Sequence, residues 1–563
     1  MVVAARTVTS LVRVLDVVPE VLGDDARVTI VFAYDPASAF NDGVLDLLRS
    51  LGCRTMPWSQ VDEVSPDLVI SASENVTAPA GDCPVLVLPH GIGFQKQVPA
   101  PVGPGTRLSG LVPEELLASR RAWIALSHPD QAAQLAAAHP GTVGRTVLVG
   151  DPCHDRLLAG ARWRERYRSA LGVRPGQRLV LLSSTWGTGS LIGQHPELPA
   201  ELLAHLPADE YRVALVLHPN VWSGHGAWQV RVLQRRATEA GLITVDPVDG
   251  WQQALLAADL VVGDHGSVTL YGAAAGRPVL LAAFGAEAVA GTASWALRAA
   301  APRLDLDRPL PEQLAAAVAG HTPERYREAV EMAFAVPGES LPRLRETVYD
   351  LLRLAPPKQP ARTARAFAPV AGDGGPARSL LVRTAVTARS GRAVEVELRR
   401  FPAVLARETA ETADAFWHLA CDVDEPDTRL TESATALLQG SPVFPEEAGR
   451  QRLAELLAAF PGARAAALPV ADGCLVRLRD GSTVLATGAG PDPGIAAAAV
   501  YACLRLGLRT EESDGPDGLV VTLRHGAGAE RVVLCPDRPG TAAGQPAASR
   551  ARTSAAFGLP PSS

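Results

Sequence analysis

Short, unbroken apolar runs alternate with amphipathic helical stretches along the first two-thirds of this chain, and near residue 178 the alternation starts over. A run of four to seven apolar residues with no polar alternation suits a strand buried on both faces. Such runs occupy residues 27–33, 67–70, 84–88, 122–126 and 146–149, then 178–183, 211–217, 242–245, 260–262 and 278–281. Between them lie helical stretches such as 11–22 and 43–51, the latter stopped by Gly52. Buried strands separated by helices predict parallel sheets covered on both sides. The expected fold class is therefore α/β, as two Rossmann-type lobes, 1–150 and 151–355, facing a cleft. Ligands of such sheets bind beyond the carboxyl ends of the strands, which directs attention to the loops there.

Composition changes after residue 355, where Ala355-Pro-Pro-Lys-Gln-Pro and Ala371-Gly-Asp-Gly-Gly-Pro376 predict a linker over 356–378. Residues 379–536 resume globular composition, with strand-like runs at 380–388, 393–398, 519–523 and 531–534 and helical ones at 451–460 and 494–506. They are expected to form a smaller, accessory α+β domain. The tail, 537–563, is rich in Ala, Gly, Pro and Ser and is expected to be disordered. A net charge of −7 argues against nucleic acid as a partner. Seven scattered cysteines without a C-x-x-C pair argue against zinc or a disulfide framework and for a reducing compartment. Arg6, Arg13 and Asp16 interrupt the N-terminal apolar stretch, so no signal peptide is read. No run is long enough to span a bilayer. The expected location is cytoplasmic, at most peripheral to the inner face of the cell membrane.

Four segments carry residues suited to chemistry. In Leu88-Pro-His-Gly-Ile-Gly-Phe-Gln-Lys96, His90 follows a strand, where an imidazole can serve as general base or simply tie down its loop. In Leu182-Ser-Ser-Thr-Trp-Gly187, Thr185 and free backbone amides suit phosphate oxygens, or form an ordinary polar turn. In Leu215-Val-Leu-His-Pro219, Pro219 ends the strand and leaves His218 at its carboxyl end, to meet a phosphate or to cap a helix. In Asp259-Leu-Val-Val-Gly-Asp-His-Gly-Ser267, a strand ends in a turn holding Asp264, Gly266 and Ser267 before a small-residue helix. A helix N-terminus is a ready anion site, and capping by Asp264 or Ser267 is compatible with that role.

In their order and spacing these segments resemble the CDP-glycerol glycerophosphotransferases of teichoic acid synthesis, which are GT-B enzymes. The resemblance spans residues 10–350. It matches His90-Gly91 to the family's His-Gly pair, Gly150-Asp-Pro-Cys-His-Asp155 to its Gly-x-Pro-x-x-Asp junction, and Ser184-Thr-Trp186 to a Pro-Thr-Trp loop. His218-Pro219 matches a His-Pro pair, and Asp264-His-Gly-Ser267 stands where the family has Asp-Tyr-Ser-Ser. Two loops depart: the family's His-Gly-Thr-Pro-Leu-Lys keeps only its His-Gly and a later lysine, and His265-Gly266 is similar to the turn of UDP-GlcNAc 2-epimerases, also GT-B proteins.

The resemblance implies a transferase using a nucleotide-diphosphate donor, CDP-glycerol or a nucleotide sugar, and a polyol or glycan acceptor. It further implies a role in building a cell-envelope polymer, with no cofactor and no metal. His90 and His218 are the expected catalytic residues. Thr185, Asp264, Gly266 and Ser267 are expected to bind the donor phosphates. The alternatives are a UDP-sugar 2-epimerase-like enzyme and a catalytically degenerate nucleotide-binding module of the same fold.

Overall fold

The structure is a computed structural model that describes residues 1–38, 41–99, 105–246, 248–405, 412, 414–488, 490–508, 518–526 and 528–537. The expected disordered tail lies outside the described residues from 538 onward. The chain divides into two compact units: one holds 1–386, 397–434 and 524–529, and the other 387–396, 435–523 and 530–563.

The first lobe has strands β1 (Val2–Ala5), β2 (Val31–Tyr34), β3 (Thr55–Pro57), β4 (Val69–Ser71) and β5 (Val85–Val87), then β6 (Gln97–Pro99), β7 (Thr106–Leu108), β8 (Ala122–Leu126) and β9 (Thr146–Leu148). Its parallel sheet runs β3-β2-β1-β4-β5-β8-β9, while β6 and β7 pair separately as an antiparallel hairpin. The second lobe has β10 (Arg178–Ser184), β11 (Tyr211–Leu217), β12 (Ile243–Thr244), β13 (Leu260–Gly263) and β14 (Val279–Leu281), in the order β12-β11-β10-β13-β14. In both sheets the order reverses beside the first strand, so successive connections leave in opposite directions and open a crevice at that point.

Burial explains why these strands read as plain apolar runs. Leu179 and Leu181 of β10 enter one core cluster, whereas Val180 and Leu182 enter another. In the first lobe Val3 and Ala5 pack on one side of β1 and Val2 and Ala4 on the other. With both faces covered, apolar side chains dominate the strands, and each large one contributes about 1.5–3 kcal/mol. β1 itself is absent from the sequence expectations, although it is central to its sheet: four small apolar residues carry too little pattern to announce a strand.

The helix Ser340–Leu352 sends Leu341, Leu344, Val348 and Tyr349 into the same cluster as Val14 and Val18 of the helix Val8–Leu22. The chain thus returns to the first lobe after completing the second. Asp155 secures that crossing: its carboxylate accepts from the Gly338 amide at 2.6 Å, from the Ser340 amide at 3.1 Å and from the Ser340 hydroxyl. Gly150 has φ of 82°, and a Cβ there would stand 3.2 Å from Val336. The Gly-x-Pro-x-x-Asp pattern therefore has a mechanical basis at the point where the two lobe crossings meet.

The proline-rich stretch 356–378 runs as an ordered strap on the second lobe. Tyr167 donates to the Phe367 carbonyl at 3.0 Å, Gln253 accepts from the Val370 amide at 2.7 Å, and Thr244 pairs with Asp373. Extended proline-rich backbone serves a strap as well as it serves a linker.

Beyond it lie β15 (Ser379–Ser390), β16 (Ala393–Pro402), β17 (Ala415–Asp422), β18 (Ala436–Leu438), β19 (Ala465–Val470), β20 (Gly473–Leu478), β21 (Thr483–Thr487), β22 (Leu519–His525) and β23 (Gly528–Pro536). These strands close a barrel, where the sequence reading expected a small α+β domain. The helices Glu446–Ala459 and Pro493–Arg505 are present, but five of the nine strands escaped the reading. In β19, for example, Ala465-Ala-Ala-Leu-Pro-Val470 has helix-favouring composition and becomes a strand through its pairing with β20.

Candidate active site

The register of β10 on β11 pairs Ser184 with Leu217, so the two strands end level. Thr185 and His218 therefore start adjacent loops. β13 lies on the other side of β10 and ends in Gly263, followed by Asp264. From the first lobe, β5 runs into Leu88-Pro-His-Gly91. These loops line one cleft, a cavity of about 170 Å³ open to solvent, where His90, Thr185, His218, Gly266 and Ser267 meet.

Asp264 does not line the cleft. It is fully buried beneath it, with Oδ2 accepting from the Thr185 and Leu191 amides at 2.9 and 2.8 Å and Oδ1 from the Gly266 amide at 2.9 Å. The carboxylate is a staple between the loops after β10 and β13. An anion in that position would repel phosphate, so its contribution is to hold the two loops in place.

The helix Ser267–Ala274 begins at Gly266 with no side-chain cap. Among the described residues, the Ser267 and Val268 amides make no hydrogen bond, and both residues line the cleft. Unpaired amides at the positive end of a helix form an anion site. A Cβ at Gly266 would lie 3.0 Å from Asp264 Oδ1 and 3.1 Å from Thr185 Cβ, so glycine lets the helix start sit close against both loops.

His218 caps the helix Pro219–His225 by accepting from the Asn220 amide at Nδ1, 3.1 Å away. That bond leaves the proton on Nε2, so a neutral His218 offers an N–H donor. Burial, then the nearby Lys96 and His90, holds its pKa well below the ordinary histidine value. His90 is open to solvent yet deeply walled by the cleft. Burial lowers its pKa, opposed by Glu74 and reinforced by Lys96 and Arg13. Both shifts favour the neutral imidazole, the state a general base requires.

Three contributors were not legible as site residues. Arg13, read from the sequence only as a charge interrupting an apolar stretch, is buried; it donates to the Pro89 carbonyl at 3.1 Å and the Tyr271 hydroxyl at 3.1 Å, and pairs with Asp151 at 3.3 Å. Tyr271 in turn donates to Asp151 at 2.7 Å, so the loop before His90, the interlobe junction and the helix Ser267–Ala274 share one buried network. Glu74 also lines the cleft. None lies near the others in sequence, and Arg13 was noticed only as one of the charges that interrupt the N-terminal apolar stretch.

Among the described residues, no group of three or more His, Cys, Asp or Glu is placed to hold a metal ion, and no helix is long and apolar enough to cross a membrane.

No family model and no curated protein matches the chain. Among solved structures, the wall teichoic acid polymerase TagF overlaps with a TM-score of 0.44 at 12% identity, over 63% of this chain and 88% of that one. The S. aureus MnaA–UDP structure overlaps with a TM-score of 0.39 at 11% identity, over 65% and 98%. Anabaena HepE in complex with UDP and glucose gives 0.34 at 12% identity, over 62% and 98%. Overlaps of this degree decide neither the fold family nor the activity of this chain.

Proposed function

We propose that this chain is a GT-B-type transferase that takes glycerol phosphate or a sugar from a nucleotide-diphosphate donor and passes it to a polyol or glycan hydroxyl. The observation that carries this reading is the convergence of His90 from one lobe with the uncapped helix N-terminus at Ser267 and the His218 N–H donor from the other. The donor diphosphate lies against the Ser267 and Val268 amides, and His218 Nε2–H stabilises charge on the leaving phosphate. His90 removes the acceptor proton as the oxygen attacks, at phosphorus for glycerol phosphate or at the anomeric carbon for a sugar. The motif resemblance to the glycerophosphotransferases supports a cytoplasmic enzyme of cell-envelope polymer synthesis. The test is to incubate the protein with labelled CDP-glycerol and a panel of nucleotide sugars, with polyol and glycan acceptors. Nucleotide release coupled to a labelled product supports the reading; binding without turnover of any donor refutes it in favour of a binding module.

A further inference from the structure

Lys96 is fixed by backbone contacts from both lobes. It forms an antiparallel bridge with Ala288, while the Gln97 amide donates to the Glu287 carbonyl at 2.7 Å and the Val289 amide to the Gln95 carbonyl at 2.9 Å. On its own lobe, the Ser109 amide donates to the Lys96 carbonyl at 2.9 Å. The Gln95 side chain adds a further stitch, accepting from the Ser294 amide at 3.0 Å. The first lobe's loop is thereby sewn to the second, and the lysine side chain lines the shared cleft. Its ammonium stands 5.5 Å from the centroid of the Trp186 ring, in the loop after β10.

Three carboxylates, Asp264, Glu287 and Glu74, act on this cation through space without touching it. Asp264 accepts from three backbone amides. Glu287 stands 2.9 Å from His265 Nε2, and Glu74 stands 3.5 Å from Arg107. Among the described residues, none pairs with Lys96 within 4.0 Å. A cation held in a walled cleft without a contact anion is costly, and a bound anion relieves that cost. Burial accordingly lowers the lysine's pKa, against the pull of Asp264, Glu287 and Glu74.

We propose that Lys96 is the first lobe's own contact to the donor diphosphate, reaching across the cleft to the phosphates seated on the helix N-terminus at Ser267. The assignment rests on the donor reading above and changes it in one respect: the diphosphate is gripped from both lobes. A nucleoside diphosphate is the fitting ligand class, because two adjacent phosphates can meet the helix N-terminus and the ammonium together.

The test is calorimetric titration of the full chain with CDP, UDP, the two nucleosides and inorganic pyrophosphate. Lys96→Met keeps an unbranched side chain of similar length and removes the charge; Lys96→Arg restores it. With melting temperature preserved, Lys96→Met should bind the preferred diphosphate roughly ten- to a hundredfold more weakly, as expected for one charged hydrogen bond. Its nucleoside affinity should be unchanged, and Lys96→Arg should recover most of the loss. Equal diphosphate affinity in Lys96→Met and wild type, with the diphosphate binding more tightly than the nucleoside in both, overturns the lysine assignment and leaves the donor reading standing. An equal loss for nucleoside and diphosphate overturns it too, as does failure of both variants to fold, since either outcome makes Lys96 a structural strut. Absence of nucleotide and pyrophosphate binding in the wild type overturns both readings.

Discussion

The hydroxyl oxygen of Ser267 accepts a hydrogen bond from the Ile92 amide at 3.1 Å, joining the donor-side helix to the loop that carries His90. The neighbouring Gly91 is the residue such closeness demands, because a Cβ there would stand 2.8 Å from that oxygen. His-Gly and Ser are therefore halves of one contact. Ser267→Ala should cost about 1 kcal/mol, and Gly91→Ala about 1–3 kcal/mol through overpacking. In the double variant the 2.8 Å clash is removed and only a 3.3 Å contact with the residue 267 Cβ remains, so the combined loss should fall short of the sum by about 1 kcal/mol. Urea unfolding of the four proteins measures this, and strict additivity would show that the residues do not touch.

Asp264 is a structural member of the site. Asp264→Ala strips acceptors from three buried amides, so a loss of roughly 3 kcal/mol or more is expected. Nucleotide affinity should fall with it, because the loops after β10 and β13 lose their staple. A variant of wild-type stability would remove the carboxylate from this role.

His90→Ala should leave the fold and donor affinity intact, since the helix N-terminus at Ser267 belongs to the other lobe. Transfer should drop by about 10²–10⁴-fold. Because the His90 pKa is lowered, the acid limb of the wild-type rate profile should lie below the ordinary histidine range and vanish in the variant. Undiminished transfer by the variant would exclude His90 as the base.

His418, buried in β17, has its pKa pushed down to about 3 by burial and by Arg400. Its folded pKa lies below the unfolded value near 6.5, so the unfolded chain binds the proton more readily. The stability it contributes is complete above about pH 6.5 and falls by roughly 1.4 kcal/mol per unit as pH drops toward 3. His418→Phe should flatten the dependence of the unfolding free energy between pH 6 and 4 by about one proton. Parallel curves for variant and wild type would contradict the burial argument.

How much of this was legible in the sequence follows from how local each signal is. The runs at 122–126 and 211–217 coincide with β8 and β11, because burial on both faces imposes apolar residues along the whole strand. The structure brings the sequence candidates His90, Thr185, His218, Gly266 and Ser267 to one cleft, each from a place where an apolar run breaks into Pro, Gly or a hydroxyl at a strand's carboxyl end. Lys96, by contrast, entered only as the lysine its loop shares with the family motif; its contacts to Ala288 and Trp186 span long stretches of chain, and no local pattern announces them.

Arg13 and Asp151 show the division most clearly. Sequence alone determined that a helix would carry Arg13, because periodicity is decided within a few residues, and it marked Asp151 only as part of the Gly150–Asp155 motif. Their pairing at 3.3 Å, with Tyr271 between the same partners, depends on three distant segments arriving at one buried point. Tertiary structure decided likewise that Asp264 lies under the cleft instead of in it, and that the strands after 378 close into a barrel. The physical reason is common to all three. Backbone pattern is written by near neighbours, whereas the direction a polar side chain faces is set by which remote groups can satisfy it once water has been excluded.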